Sequence, residues 1–108
     1  EGTGKGFELP LINEISELIK IPLIVHGGAG HVDDFIETCN SSRVDGFAVS
    51  SVLHYSLLSN NRIVNTSTET GNTEFLKRNT SFGSFGLLTI EEIKKKLINS
   101  GHKVREVW

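Results

Sequence analysis

Apolar residues recur at helical spacing within the first twenty positions and again between positions 32 and 41. The first stripe comprises Leu11, Ile12, Ile15, Leu18 and Ile19. It predicts a loop followed by a helix within 1–20, because side chains three and four positions apart share one helical face. A second stripe predicts a helix over 32–41 and comprises Val32, Phe35, Ile36 and Cys39. Asp33, Asp34 and Glu37 alternate with that stripe and are expected in solvent.

Two short apolar runs flank this second helix. The run from Ile21 to Val25 predicts a strand over 21–26, and a second run predicts a strand over 46–51. Unbroken aliphatic runs of this length are typical of strands that are covered on both faces, as in parallel sheets. A short helix is expected from Val52 to Leu58. The order strand, helix, strand, helix indicates βαβα units with parallel strands.

The second half of the chain contains a long polar segment and a well-marked final helix. Asn, Ser, Thr and Gly dominate an insertion at 59–86, which includes one short helical candidate at 73–78. A connection of this length within a compact fold is typically functional or mobile. Thr89 and Glu92 have capping-box spacing ahead of an apolar stripe and predict a helix over 89–100.

Two strands are too few to form a stable sheet. The chain is therefore expected to complete a larger closed or doubly wound α/β sheet, together with residues outside this sequence or with another copy of itself. The (βα)8 or TIM barrel fits best, and 1–108 is interpreted as one partial barrel domain, a C-terminal fragment with the last two strands. The sequence lacks an initiator Met and opens in a loop-like, glycine-rich stretch, which favours the same interpretation.

Net charge, the length of apolar runs and cysteine content limit which binding partners and which cellular compartment are expected. The formal net charge of −2 offers no electrostatic attraction to nucleic acid or to an anionic membrane surface. No apolar run approaches the roughly 20 residues that span a bilayer. Cys39 is the one cysteine, so no internal disulfide can form, and a reducing, cytoplasmic location is predicted. On the apolar helix face it is interpreted as a small buried hydrophobe rather than a nucleophile.

Three glycines follow the first strand directly and precede a helix. Gly27, Gly28 and Gly30 permit unusual backbone conformations and a close ligand approach, and the free N–H groups of the helix N-terminus favour an anion. Taken alone, this turn fits a phosphate cup and a plain β-to-α turn equally well, since neither standard phosphate motif is present. Ser50 and Ser51 end the second predicted strand and could add donors at the same sheet edge.

Other chemistries have weaker support. His26 and His31 flank the glycines without a cysteine or carboxylate partner at ligand spacing, so no metal is predicted. No cofactor is predicted either. Ser50 and Ser51 lack the G-x-S-x-G elbow of a nucleophilic serine, which favours hydroxyl donation to phosphate.

Three segments carry a resemblance to a known family. Glu1–Thr3, Val25–Gly30 and Ala48–Tyr55 resemble, in order and spacing, the C-terminal portion of the cyclase subunit of imidazole glycerol phosphate synthase. Within that resemblance Glu1 stands where aspartate is usual, and His26 stands where a small residue such as serine is usual. His54 resembles a residue that packs behind the last strand, which favours a structural role.

The resemblance implies a barrel that receives ammonia from a glutaminase partner and cleaves and cyclises a ribonucleotide bearing two phosphates. The family's two catalytic aspartates lie on earlier strands that this sequence lacks, so no catalytic residue is assigned and the chain alone is expected to be inactive. The implied phosphate-binding residues are Gly27, Gly28, Gly30, Ser50 and Ser51. Further substrate contacts are expected from Glu1, Gly2, Thr3 and His26.

Two alternatives stay open. The Asn-rich insertion resembles a subgroup found beside surface-polysaccharide genes, whose members are thought to deliver ammonia for amidination of a sugar. The other alternative is a catalytically silent half-barrel that associates with itself through its exposed sheet edges.

Overall fold

The computed structural model describes residues 3–60 and 88–105. Six elements follow in the order α, β, α, β, α, α: α1 (Leu9–Leu18), β1 (Ile24–His26), α2 (Val32–Ser41), β2 (Gly46–Ala48), α3 (Ser51–Asn60) and α4 (Ile90–Asn99). Most of the expected insertion at 59–86, with its helical candidate, lies outside the described residues, although positions 59 and 60 belong to the end of α3.

Both strands are shorter than the sequence predicts. The first was expected over 21–26 and begins only at Ile24, because Pro22 has no N–H to give to a neighbouring strand. The second was expected over 46–51 and ends at Ala48. The Ser50 carbonyl accepts hydrogen bonds from the N–H groups of Leu53 and His54, so the backbone turns into α3 at this point.

β1 and β2 pair in parallel, with Val25 opposite Phe47 and His26 opposite Ala48. Successive side chains of a strand point to opposite faces, so Val25 and Phe47 share one face of the sheet and His26 and Ala48 share the other. The pairing also brings the carboxyl ends of both strands to the same edge of the sheet. The parallel α/β arrangement is consistent with part of a β/α barrel.

Helices and an aromatic cluster cover the Val25 face. The rings of Phe7, Phe35 and Phe47 contact one another with centroids 5.1–5.4 Å apart. Phe35 is fully buried in α2. The α4 helix packs on α2 through Ile93 and Leu97, and the hydrophobic core lies between these elements.

The predicted capping box of α4 is confirmed, whereas the predicted apolar stripe of α1 is only partly buried. Thr89 accepts a hydrogen bond from the Glu92 N–H at 3.1 Å, and the Glu92 carboxylate accepts one from the Thr89 N–H at 2.8 Å. In α1 only Ile12 of the predicted apolar stripe is buried; Ile15 and Ile19 are half-buried, and Leu11 and Leu18 are 55% and 75% exposed. The α1 helix therefore presents an uncovered apolar side.

Candidate functional site

The loops that follow the two strands meet at one edge of the sheet. A cavity of about 20 Å³ lies between them, lined by residues 27–29 of the first loop and residues 48–52 of the second. This volume holds about one water-sized group. A phosphate bound here would therefore insert a single oxygen between the loops and leave its other oxygens outside.

The glycine turn is built by backbone contacts with the segment at 4–6. Gly28 has φ +96°, and a Cβ at this position would lie 2.1 Å from the Gly6 carbonyl oxygen. The Gly6 N–H donates to the Gly28 carbonyl at 2.9 Å. Gly30 is buried, and its Cβ would lie 2.5 Å from the Gly4 carbonyl oxygen. We call these contacts of Gly4 and Gly6 with Gly28 and Gly30 the glycine clasp; no other residue type fits Gly28 or Gly30 without moving the backbone.

Asp34 occupies the N-terminus of α2, and the expectation that it lies in solvent is wrong. Its Oδ2 atom accepts hydrogen bonds from the N–H groups of Gly30 at 2.7 Å and His31 at 2.8 Å. Asp34 is the third residue of the helix, where a carboxylate can reach back to the N-cap backbone, and it also benefits from the helix dipole. The Gly30 N–H, predicted as a phosphate donor, is engaged by this internal anion.

The α3 helix supplies the opposite wall of the cavity. Ser51, predicted to end a strand, is instead the first residue of α3. The N–H groups of Ser51 and Val52 belong to the first helical turn and have no acceptor within the helix. The positive end of the α3 dipole is thus directed at the cavity. Ser50 is exposed beside it.

The remaining predicted contacts do not line the cavity or lie outside the described residues. His26 is exposed at the end of β1, on the face opposite Val25. Thr3 is exposed, and its hydroxyl lies 3.5 Å from the Lys5 N–H. Glu1 and Gly2 lie outside the described residues. His54 is exposed, and its ring packs edge-on against Tyr55 with centroids 5.6 Å apart.

Titratable groups within residues 3–60 and 88–105 give no sign of metal or thiol chemistry. No cluster of three His, Cys, Asp or Glu side chains there could hold a metal ion. Cys39 is half-buried, and burial raises the pKa of its thiol, so the reactive thiolate is disfavoured. Within the same residues, no helix is both long and apolar enough to cross a bilayer.

A second, larger cavity of about 670 Å³ runs along β2 beside α4. Its walls include Phe35, Phe47 and Leu97, and Lys94 and Lys103 also line it. Sequence reasoning missed this cavity, because it is formed by the packing of α4 and the segment after it against α2 and β2. No local pattern signals contacts between segments so far apart in the chain.

Comparisons with known proteins agree on one family. The family model described as "Histidine biosynthesis protein" matches residues 1–59. Imidazole glycerol phosphate synthase subunit HisF of Bacillus cereus (strain G9842) is 42% identical over 55 residues, which cover 51% of this chain and 22% of the relative. The subunit HisF of Buchnera aphidicola subsp. Acyrthosiphon pisum (strain APS) is 30% identical over 106 residues, which cover 98% of this chain and 30% of the relative. The chain thus spans less than a third of the length of these relatives. No solved structure gave a significant match.

Proposed function

The chain belongs to the histidine biosynthesis protein family, and we propose that it is the phosphate-binding C-terminal part of a cyclase-type β/α barrel. The barrel would act as an imidazole glycerol phosphate synthase, a lyase that uses ammonia from a glutaminase partner in the cytoplasm. The relatives named above carry the synthase name, and the fragment covers only part of their length. The activity of the whole barrel is therefore part of the proposal.

One observation carries the phosphate site: the glycine turn and the first turn of α3 border the same cavity at the carboxyl ends of neighbouring parallel strands. In β/α barrels, phosphate is frequently held by the loops after the last two strands and by the N-terminus of a short extra helix. Gly27, Gly28, Ser50 and Ser51 would hold the phosphate. The Gly30 N–H, bound to Asp34, would contribute only if the carboxylate moved aside.

Backbone N–H groups and serine hydroxyls orient a phosphorylated substrate but move no protons during the reaction. General acid and base catalysis would come from other strands of the barrel. His26 and Thr3, with Glu1 and Gly2, would contact the rest of the substrate. We therefore expect the 108-residue chain to bind phosphate and to show no turnover of the ribonucleotide with ammonia.

The uncovered sheet face supports a second candidate, in which copies of the chain associate. Ile24 is 66% exposed on this face, and Leu11 of α1 is 55% exposed. Removing such side chains from water would stabilise an assembly by about 25 cal/mol per Å² of apolar area. Light scattering across a concentration series tests this candidate; a stable monomer at high concentration would contradict it.

Amidination of a surface-polysaccharide sugar stays the alternative activity for the whole barrel. Assays of the whole barrel with the ribonucleotide and with the sugar would separate the two activities.

The phosphate site is tested by titrating the ¹⁵N-labelled chain with inorganic phosphate. We expect saturable amide shifts at Gly27, Gly28 and Ser51. Gly101 serves as the internal control, because it has a similar positive φ but lies beyond α4, with nothing within 4 Å of its Cβ position. Shifts confined to the lysines of α4, or no saturable shift at all, would contradict the proposal.

A further inference from the structure

The Asp34 carboxylate binds the end of the glycine turn and lies beside the Gly4–Gly6 segment that packs on this turn. We infer that Asp34 is a positioning residue, whose carboxylate holds the Gly27–Gly30 turn against the Gly4–Gly6 segment and thereby aims the phosphate-binding N–H groups of the turn. This inference rests on the proposed phosphate site. It adds a residue that does not itself contact the phosphate.

The two oxygens of the Asp34 carboxylate face different loops. Oδ2 accepts the N–H groups of Gly30 and His31. Oδ1 faces Gly6, since a Cβ on Gly6 would lie 3.3 Å from it. Hydrogen bonds to a charged acceptor are stronger than those between neutral groups. The Asp34 side chain therefore joins the start of α2 to the glycine turn, and it lies next to the Gly4–Gly6 segment that packs on this turn.

The aromatic cluster anchors the Gly4–Gly6 segment at its C-terminal end. Phe7 follows Gly6 directly, and its ring lies 5.4 Å from that of Phe35, which follows Asp34. Between these anchors, the Gly6 N–H donates to the Gly28 carbonyl. The peptide group between Gly28 and Ala29 is therefore held in one orientation before any ligand arrives. A preorganised donor binds its ligand without the entropic cost of ordering the loop.

Asp34 could instead act only as a rival of phosphate for the Gly30 N–H. A carboxylate beside the proposed site repels a phosphate, so removal of a mere rival would strengthen phosphate binding. Removal of a positioning residue would weaken phosphate binding, even though a negative charge is lost. The two roles thus predict opposite signs for the same substitution.

The experiment compares the full chain with D34N, D34A and the matched control D33N, each titrated with inorganic phosphate by ¹⁵N NMR. Asp33 is an exposed carboxylate in the same first turn of α2, so D33N removes the same charge without touching the clasp. We expect an unchanged or slightly lower Kd for D33N and an approximately tenfold higher Kd for D34A. D34N should fall between them, because the amide oxygen of Asn can still accept the two N–H groups. A Kd for D34A at or below that of D33N would overturn the inference.

Hydrogen exchange provides a second measurement that does not depend on phosphate. The Gly6 N–H is bonded to Gly28 and not to Asp34, so its exchange rate reports the clasp as a whole. D34A should accelerate exchange at Gly6, and D33N should not. Equal Gly6 exchange in the two variants would also overturn the inference. If wild-type chain fails to bind phosphate while Gly6 responds as expected, the phosphate proposal falls and the clasp role of Asp34 stands.

Discussion

The two faces of the two-stranded sheet differ sharply in how their side chains are used. On one face, Val25 is buried and Phe47 joins a cluster of three aromatic rings under α2. On the other face, Ile24 is 66% exposed, although it belongs to the same strand. Burial of apolar side chains on the covered face stabilises the fold. On the open face, a larger barrel or a second copy would add its own side chains.

The candidate site has one part next to the covered face and another part on the open face. The glycine clasp is anchored to the covered face, because Phe7 lies directly after Gly6 and packs in the aromatic cluster. His26, which ends β1 directly before the glycine turn, belongs to the open face. The half of the site for which we propose phosphate binding can therefore be ordered within this chain, whereas groups on the open face, such as His26, would need that face to be covered.

The largest expected effect is at the centre of the covered face. Phe35→Ala removes a fully buried ring that contacts two other rings, and we expect a loss of about 3–5 kcal/mol in the free energy of unfolding. For a domain of this size such a loss approaches the whole stability. Urea unfolding followed by circular dichroism measures it, and Phe35→Leu should retain part of the stability. A loss below about 1 kcal/mol would show that the aromatic cluster is not the core.

A smaller effect is expected at the glycine clasp. Gly28→Ala places a methyl group 2.1 Å from the Gly6 carbonyl oxygen at a positive φ, and we expect a loss of about 2–4 kcal/mol. Gly101→Ala is the matched control, since its φ of +87° is equally unfavourable but no atom lies within 4 Å. The control should lose only about 1 kcal/mol. Equal losses in the two variants would mean that the Gly6 segment does not pack closely against Gly28.

The smallest effect is expected on the open face. Ile24→Ala should change the free energy of unfolding by less than about 0.5 kcal/mol, because the side chain is mostly in water already. Thermal unfolding at two protein concentrations measures it. A larger loss that grows with concentration would contradict an open face and would support association through it.

Local patterns in the sequence predict the elements well wherever neighbouring residues determine them. The Thr89–Glu92 capping box is confirmed, because its contacts lie within four residues. The strand–turn–helix around Gly28 likewise follows from an aliphatic run, glycines and an amphipathic stripe. Membership of the histidine biosynthesis family, suggested by Glu1–Thr3, Val25–Gly30 and Ala48–Tyr55, is confirmed by the family match over residues 1–59.

Contacts between segments that are far apart in the chain account for the differences between the predicted and the observed structure. Asp34 was expected in solvent from its polar position on α2, but the backbone path of the turn brings two N–H groups to its carboxylate. The clasp could not be foreseen, since it joins residues more than twenty positions apart. The exposure of Leu18 on α1 has the same origin: a helical stripe predicts which face is apolar but not what covers it.

A crystal structure of the chain with bound inorganic phosphate would decide whether the two loops form one phosphate site. We expect a phosphate oxygen between the Gly27–Ala29 turn and the first turn of α3, within about 2.7–3.2 Å of backbone N–H groups from both loops. A phosphate held elsewhere, or one that contacts a single loop while the cavity between the two stays empty, would contradict this expectation.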